Sequence, residues 1–328
     1  MSLLNFKEQL IEHFSRAPSV HNTQPFRFKF SSDSLSIFDD PNRILQVGDT
    51  DERDHELSLG AMIESCHIVL NGYGFDIKEI ALLCDVGGPL RRRAILAIVS
   101  SDKTNDLFSL FLKRKSYRGE FPQLPILEQG KLLSDLENVQ NLKVLGAGEQ
   151  LANWAKWYDQ ASFSFMHNNS YLSELYSWMR FTKRHPDYLK DGLNAKAMSL
   201  NGIEAWFAQF VMKPSIFSFL KTIGLGRTLV SEAPQINSSL AVVAVTAPIK
   251  TSRVEQGRIF LRTWLELTRI GLSATPLSAL VDEPKSYQAI SHQLESDVVL
   301  VNVMRVGKIS SDHIYKSPRL PVHLLELK

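Results

Sequence analysis

The sequence predicts an α+β fold made of two related halves, with a helical block set into the second. Three observations predict it. Period-two apolar runs alternate with runs of helical period along most of the chain. At a constant offset of 197, Leu57, Met62, Ile63, Ile68 and Leu70 meet Val254, Ile259, Phe260, Leu265 and Leu267, while Gly60 and Gly74 meet Gly257 and Gly271. Residues 150–232 read as helical and aromatic-rich, with Trp154, Trp157, Tyr158, Phe163, Phe165, Tyr171, Tyr176, Trp178 and Phe181.

The chain has 328 residues and 44% hydrophobic composition, enough for one large or two ordinary domains with a core that needs no staples. Its 37 basic and 35 acidic residues are mixed, for a net charge of +2, so the global basic field of a nucleic-acid binder is missing. Cys66 and Cys84 form neither a metal pattern nor a disulfide framework and read as small buried side chains, which fits a reducing cytoplasm. The start M-S-L-L-N-F-K-E-Q-L carries no signal core, and no apolar run reaches membrane-spanning length. The expectation is a soluble cytoplasmic protein acting on a small molecule, with neither nucleic acid nor membrane as partner and no metal.

In chain order, residues 4–15 place Leu4, Leu10, Ile11 and Phe14 on one helical stripe that Arg16-Ala17-Pro18 ends. Phe26, Phe28 and Phe30 alternate with Arg27 and Lys29 in a half-buried strand, turning at Ser31–Asp33 into a partner strand at Ser34–Phe38. The following Asp- and Arg-rich stretch reads as a solvated or salt-bridged connection. A long helix runs from His55 to the stop at Gly72-Tyr73-Gly74, then a strand over Ile77–Leu83 and a turn over Asp85–Pro89. Ala94–Val99 is a continuous apolar run expected to be buried on both faces.

The second half opens with a helix at Leu107–Lys113. Within 150–232, the stretch from Arg180 to Asn194 reads as an exposed polar connection between helices. The aromatic residues around it read as core or interface, or as a lid able to close over a site. Ser238–Ala247 holds a central strand, Val254–Ile270 a helix and Val298–Met304 a buried strand.

Two short stretches carry chemistry. The loop after the first helix puts Ser19, His21, Asn22 and Gln24 within six residues, between Pro18 and Pro25. That is either a set of backbone caps or a grip on a polar ring edge. Arg114, Lys115, Ser116 and Arg118 put three cations and a hydroxyl within five residues. They form either a solvated turn or a phosphate site with charge-assisted hydrogen bonds of about 1.5–3 kcal/mol each.

The loop resembles the P-S-x-x-N-x-Q-P-W loop of the nitroreductase family of FMN-dependent oxidoreductases, with Phe26 at the usual tryptophan. Arg114, Ser116 and Arg118 match the family's R-x-S-x-R element, which holds the FMN phosphate. Ala274, Thr275 and Pro276 match its G-x-x-A-T-P segment, which runs along the flavin ring and turns a backbone N–H toward N5. Ser278 and Ala279 stand where members often carry an acidic residue and a glycine, and Arg305 resembles the terminal arginine that returns to the phosphate.

The resemblance implies Pro18, Ser19, His21, Asn22, Gln24, Arg114, Lys115, Ser116, Arg118, Thr275, Pro276, Leu277, Ser278 and Arg305 as FMN contacts. It implies no catalytic side chain, because flavin N5 carries the chemistry. His21 is the one candidate proton donor of the loop and reads rather as a flavin-edge contact.

Family members are dimers with FMN in the interface. The resemblance implies that both subunits stand here in tandem, 1–103 as a degenerate first half and 104–328 as the second, with the lid-like insertion at about 150–232. The fold implied is a pseudo-dimer of two similar lobes, each with mostly antiparallel sheets flanked by helices, as in the fused double-nitroreductase, Acg-like branch. One complete site per chain results, and a homodimer is not required. The implied activity is ping-pong reduction of nitro compounds or quinones by NADH or NADPH. The alternatives are a protein that stores FMN under its lid with little turnover, and a scaffold that has lost flavin.

Overall fold

The computed structural model describes residues 2–85, 88–102, 106–310, 312 and 314–328. The expected boundary at 103–104, part of the turn over 85–89 and the side chain of Cys84 lie outside the described residues. Cys66 is buried as expected.

After a 3-10 turn at Leu3–Phe6, helix α1 (Lys7–Phe14) buries Leu10, Ile11 and Phe14, the stripe its spacing requires. Strands β1 (Phe26–Phe30) and β2 (Ser34–Asp39) form the expected hairpin. Alternation in β1 would send Arg27 to solvent. It is buried instead, donating to Gln24 O at 3.1 Å and Phe26 O at 2.9 Å and pairing with Asp40.

Helix α2 (Arg53–Gly72), β3 (Phe75–Asp85) and β4 (Arg91–Ser100) complete an antiparallel sheet of order β1-β2-β4-β3. Gly74, at φ +81°, supplies the left-handed residue that ends α2. The run in β4 is covered on one face only. Ala94, Leu96 and Ile98 pack against α1 and α2, but Ile95 and Ala97 are half-buried and Val99 is 42% exposed.

The charged connection is salt-bridged at its start. Asp39 is fully buried, 2.6 Å from His55 Nε2 and bonded by Arg91 and Arg93. Burial alone would raise its pKa; hydrogen bonds from His55 and Arg91 outweigh it and hold the carboxyl well below the usual range.

The second half runs through α3 (Leu107–Lys113), α4 (Ile126–Glu137) and β5 (Leu142–Ala147) into the insertion. The insertion comprises α5 (Leu151–Phe165), α6 (Asn169–Ser177), β6 (Met179–Arg180), β7 (Leu193–Asn194), α7 (Gly202–Val211), α8 (Pro214–Thr222), α9 (Gly226–Leu229) and α10 (Ala233–Asn237). It leaves into β8 (Ala241–Pro248), α11 (Arg253–Arg269), β9 (Ser273–Pro276), α12 (Ala279–Asp282), α13 (Pro284–Ser291), β10 (Val298–Gly307) and α14 (Val322–Leu325). Helix α4 and strand β5 have no counterpart among the sequence expectations.

The second sheet has order β5-β8-β10-β9 with antiparallel pairs throughout. Unlike the first sheet it is covered on both faces, by α4 and α11 on one and α5, α12 and α13 on the other. That coverage explains why Ala241 to Ala247 are all buried.

The stretch from Arg180 to Asn194 is exposed at Lys183, Arg184, Pro186, Leu189 and Lys190, as expected, but its ends are buried and structured. Strands β6 and β7 pair in parallel there, Arg180 Nη2 meets Asp191 Oδ1 at 2.9 Å, and Asn194 Nδ2 donates to Tyr188 O at 2.9 Å, all four side chains being buried. Polar residues read as solvated because sequence does not show that they satisfy one another inside. The insertion has its own core around Leu172, Phe181, Val211 and Phe217. It grips the first half through Glu174, which accepts the N–H groups of Gln46 at 2.6 Å and Gly48 at 2.7 Å.

Helices α2 and α11 pack face to face at two glycines. A Cβ on Gly60 would lie 1.9 Å from Val254 O, and one on Gly257 2.1 Å from Leu57 O. Beside the crossing, buried Glu64 accepts from Arg258 at 3.0 Å and from Arg262 at 2.7 Å.

Candidate functional site

The motif loop is tense and heavily bonded. His21 (φ +46°), Asn22 (+57°) and Gln24 (+50°) are all left-handed without being glycine, a concentration of backbone cost that surrounding bonds must hold in place. Ser19 Oγ accepts from Gln24 N at 3.1 Å. Asn22 Nδ2 donates to Gly192 O and Pro318 O, each at 3.1 Å, and Asn22 Oδ1 accepts from Arg319 Nη1 at 2.9 Å. Gln24 Nε2 donates to Lys190 O at 2.9 Å and its Oε1 accepts from Leu320 N at 2.8 Å. The two amides therefore tie the loop to the insertion and to the C-terminal tail at once. Pro18, Ser19 and Gln24 line a small apolar cavity with Phe26, Phe28 and Met62, to the rear of the loop.

The basic arm follows α3. Arg114, Lys115 and Ser116 line a cleft with Arg16, Tyr315, Lys316, Ser317 and Arg319, a lining of five cations and no carboxylate. Arg114 donates to Arg16 O at 2.9 Å and stacks on Trp264 at 4.6 Å. Lys115 Nζ donates to Ile314 O at 3.2 Å.

Burial pushes the Arg114 guanidinium down to about 9 and Arg319 to about 10, with neighbouring Arg319 and Arg16 adding to the first and Arg16 to the second. The Nε atoms of both arginines are buried with no hydrogen-bond partner. Two desolvated, mutually repelling cations with unused donors fit a phosphate, which would relieve both costs.

Arg305 does not reach this cleft. It pairs with Thr275 in register and is fully buried, donating to Gln235 O at 3.1 Å, Tyr117 O at 3.2 Å and Gly119 O at 3.0 Å. Thr275 Oγ1 also bonds Tyr117 O, and Ser116 bridges Ala274. Arg305 and Thr275 thus position the arm from beneath. The terminal arginine in the cleft is Arg319, in K-S-P-R-L-P, which the sequence reading passed over. Its signal was available: two cations flank a serine and a proline, much as in the arm itself.

Pro276 is half-buried beside Met304, Leu277 packs in the core under the second sheet, and Ser278 Oγ accepts from Asn302 Nδ2 at 3.3 Å at the start of α12. Leu277 therefore acts through its core contacts.

Arg118 lies beyond the cleft and donates to Ala197 O at 3.4 Å. Its charge acts on His21, whose pKa is pushed down to about 4 by burial and then by Arg118. Glu232 of the insertion, missed by the sequence reading, and Tyr158, read there only as one of its aromatic residues, act on Arg118 as well. Burial raises the Glu232 carboxyl, partly opposed by Arg305, Arg118 and Tyr158.

His21 is expected to stay neutral through the physiological range. Its folded pKa is depressed, so the unfolded chain takes up its proton first, and the His21 contribution to stability falls as pH drops from about 6.5 toward about 4. An NMR titration of the ring resonances should give a midpoint near 4; one near the ordinary histidine value would contradict the placement of His21 against Arg118.

No family model matches the chain. Over 63 residues, 19% of this chain, it is 40% identical to two Mycobacterium tuberculosis proteins, each named "Putative NAD(P)H nitroreductase". The match spans 18% of the length of each relative.

Similar solved structures include the FMN-dependent nitroreductase NfnB of Mycobacterium smegmatis in complex with NADPH. It shows 16% identity and a TM-score of 0.33, over 66% of this chain and 90% of that one. A structure from Anabaena variabilis named "putative nitroreductase" shows 11% identity and a TM-score of 0.36, over 84% of this chain and 69% of that one. Scores this low do not assign a fold.

Proposed function

We propose that this chain is an FMN-dependent NAD(P)H oxidoreductase of the nitroreductase type that reduces nitro compounds or quinones. The observation that carries the reading is the cleft in which Arg114, with Ser116 beside it, and Arg319 converge from distant parts of the sequence, each arginine with an unused buried donor. Arg114, Lys115, Ser116, Lys316 and Arg319 would hold the FMN phosphate. The motif loop and the Thr275–Ser278 segment, linked to the cleft through Asn22–Arg319 and Ser116–Ala274, would flank the ring.

Bound there, FMN supplies hydride acceptance from NAD(P)H and onward reduction of the acceptor. His21, neutral beside Arg118, orients rather than protonates. Arg305 and Thr275 keep the arm in place.

The two halves, 1–103 and 104–328, are products of a duplication that fused a dimer into one chain. Three features support this. Both sheets share the order first-second-fourth-third, each with its long helix between the second and third strands. The helices cross at glycines 197 apart, and the carbonyls opposing them, Leu57 and Val254, are 197 apart too. The phosphate cleft draws on both halves, since Arg16 belongs to the first.

A second reading, storage of FMN with little turnover, is favoured by the insertion's grip on the loop: Gly192 and Lys190 bond Asn22 and Gln24, and Ala197 bonds Arg118.

The test is the visible spectrum of the purified protein followed by anaerobic NADPH. Flavin absorbance that bleaches on the turnover timescale is the expected result, and absorbance that resists bleaching would favour storage. Protein that stays colourless after incubation with FMN would overturn both.

A further inference from the structure

The insertion carries a surface that neither the cleft nor the core uses. On α7, Ile203 is 82% exposed, Trp206 68% and Phe210 54%, with Phe207 beside them, while Ala205 and Val211 face inward. Helix α8 adds Phe219 at 63% and the turn after it Ile223. Half of the exposed large apolar side chains of the described residues fall between Ile203 and Leu229. A patch this concentrated is stabilised only by something that covers it.

Its charge says what covers it. Residues 180–230 hold eight basic and three acidic residues, net +5 in a chain whose total is +2, so the remainder is net −3. Lys213, at the bend between α7 and α8, is exposed and places its ammonium 5.9 Å over the Phe210 ring, at the margin of the apolar face. Arg227 is exposed after the turn.

An isologous pair of this chain would bring two copies of one basic surface together, with Glu204 as the one acid on α7 and α8 to offset them. Lipid phosphates would neutralise them. Aromatic side chains with basic flanks are the composition of a helix lying in a membrane interface.

We infer that α7 and α8 seat on the surface of an anionic phospholipid bilayer. Trp206, Phe207, Phe210 and Phe219 enter the headgroup–acyl boundary, with Lys213 and Arg227 among the phosphates. No helix of the described residues is long and apolar enough to cross a membrane, so the attachment is peripheral. The sequence expectation of no membrane partner rested on the lack of a span, a criterion blind to a ten-residue interfacial helix. This inference stands apart from the flavin reading and applies with or without cofactor.

The test is co-sedimentation of the full chain with phosphatidylcholine vesicles, with and without phosphatidylglycerol. The chain should pellet with the anionic vesicles and be released in part by salt. Trp206→Ser combined with Phe210→Ser should weaken partition at least about tenfold, and Lys213→Glu several-fold. Both sites are exposed, and an unchanged circular dichroism spectrum would verify folding. Wild-type protein left in the supernatant, or the double variant binding equally, would overturn the inference. So would a solution dimer abolished by the same substitutions, which would assign the face to a second copy.

Discussion

Arg319→Ala is expected to weaken FMN binding by about a hundredfold or more, the loss of two charge-assisted hydrogen bonds of about 1.5 kcal/mol each at the least. The residue lies far from the motifs that first draw attention. Its buried Nε lacks a partner, and Nη1 already holds Asn22 Oδ1 at 2.9 Å. Removing the side chain would therefore take away a proposed phosphate ligand and loosen the loop that would border the ring.

Titration of the apoprotein with FMN, followed by flavin fluorescence, measures the effect. Arg319→Lys, which keeps the charge but not the fork, should recover part of the affinity. Thermal unfolding of both apoproteins separates binding from folding. An Arg319→Ala protein that folds and binds FMN like the wild type would remove Arg319 from the phosphate site.

Gly60→Ala is expected to destabilise the protein by about 3 kcal/mol, the upper part of the usual range for overpacking. The added methyl would stand 1.9 Å from the Val254 carbonyl oxygen, and backbone cannot rotate away as a side chain can. Relief requires α2 and α11 to separate, which strains the Glu64–Arg258–Arg262 cluster beside the crossing.

Gly130→Ala in exposed α4 is the control. Nothing lies within 4 Å of its Cβ, and better helix propensity should stabilise it by about 0.5–1 kcal/mol. Urea midpoints of the two variants should move in opposite directions. Equal midpoints would mean that the two helices are not in direct backbone contact.

Much of the fold was legible because its periods are clean. The stripe Leu10, Ile11, Phe14 located α1, the hairpin turn at Ser31–Asp33 joined β1 to β2, and the 197-residue offset picked out α2 and α11 before any contact was known. Helix α4 and strand β5 escaped because Ile126 and Leu127 are exposed while half-buried residues carry β5, so neither pattern is sharp. The ends of the stretch from Arg180 to Asn194 misled because polar residues that satisfy one another read like polar residues that face water.

The candidate site divides the same way. Residue type and spacing were enough to define the chemistry available: a loop rich in amides and hydroxyls, an arm of three cations around Ser116, and two related helices with glycine at one face. Local geometry translates such features directly. Which arginine serves the cleft and which serves the scaffold depends on packing instead. Arg305 and Arg319 carry the same group within fifteen residues of each other. One lies in a central strand, its Nη atoms held by the backbone carbonyls of Gln235, Tyr117 and Gly119, and the other in a tail that returns across the motif loop into the cleft. That difference is set by what surrounds each side chain, and partners hundreds of residues away leave no mark on the sequence around them.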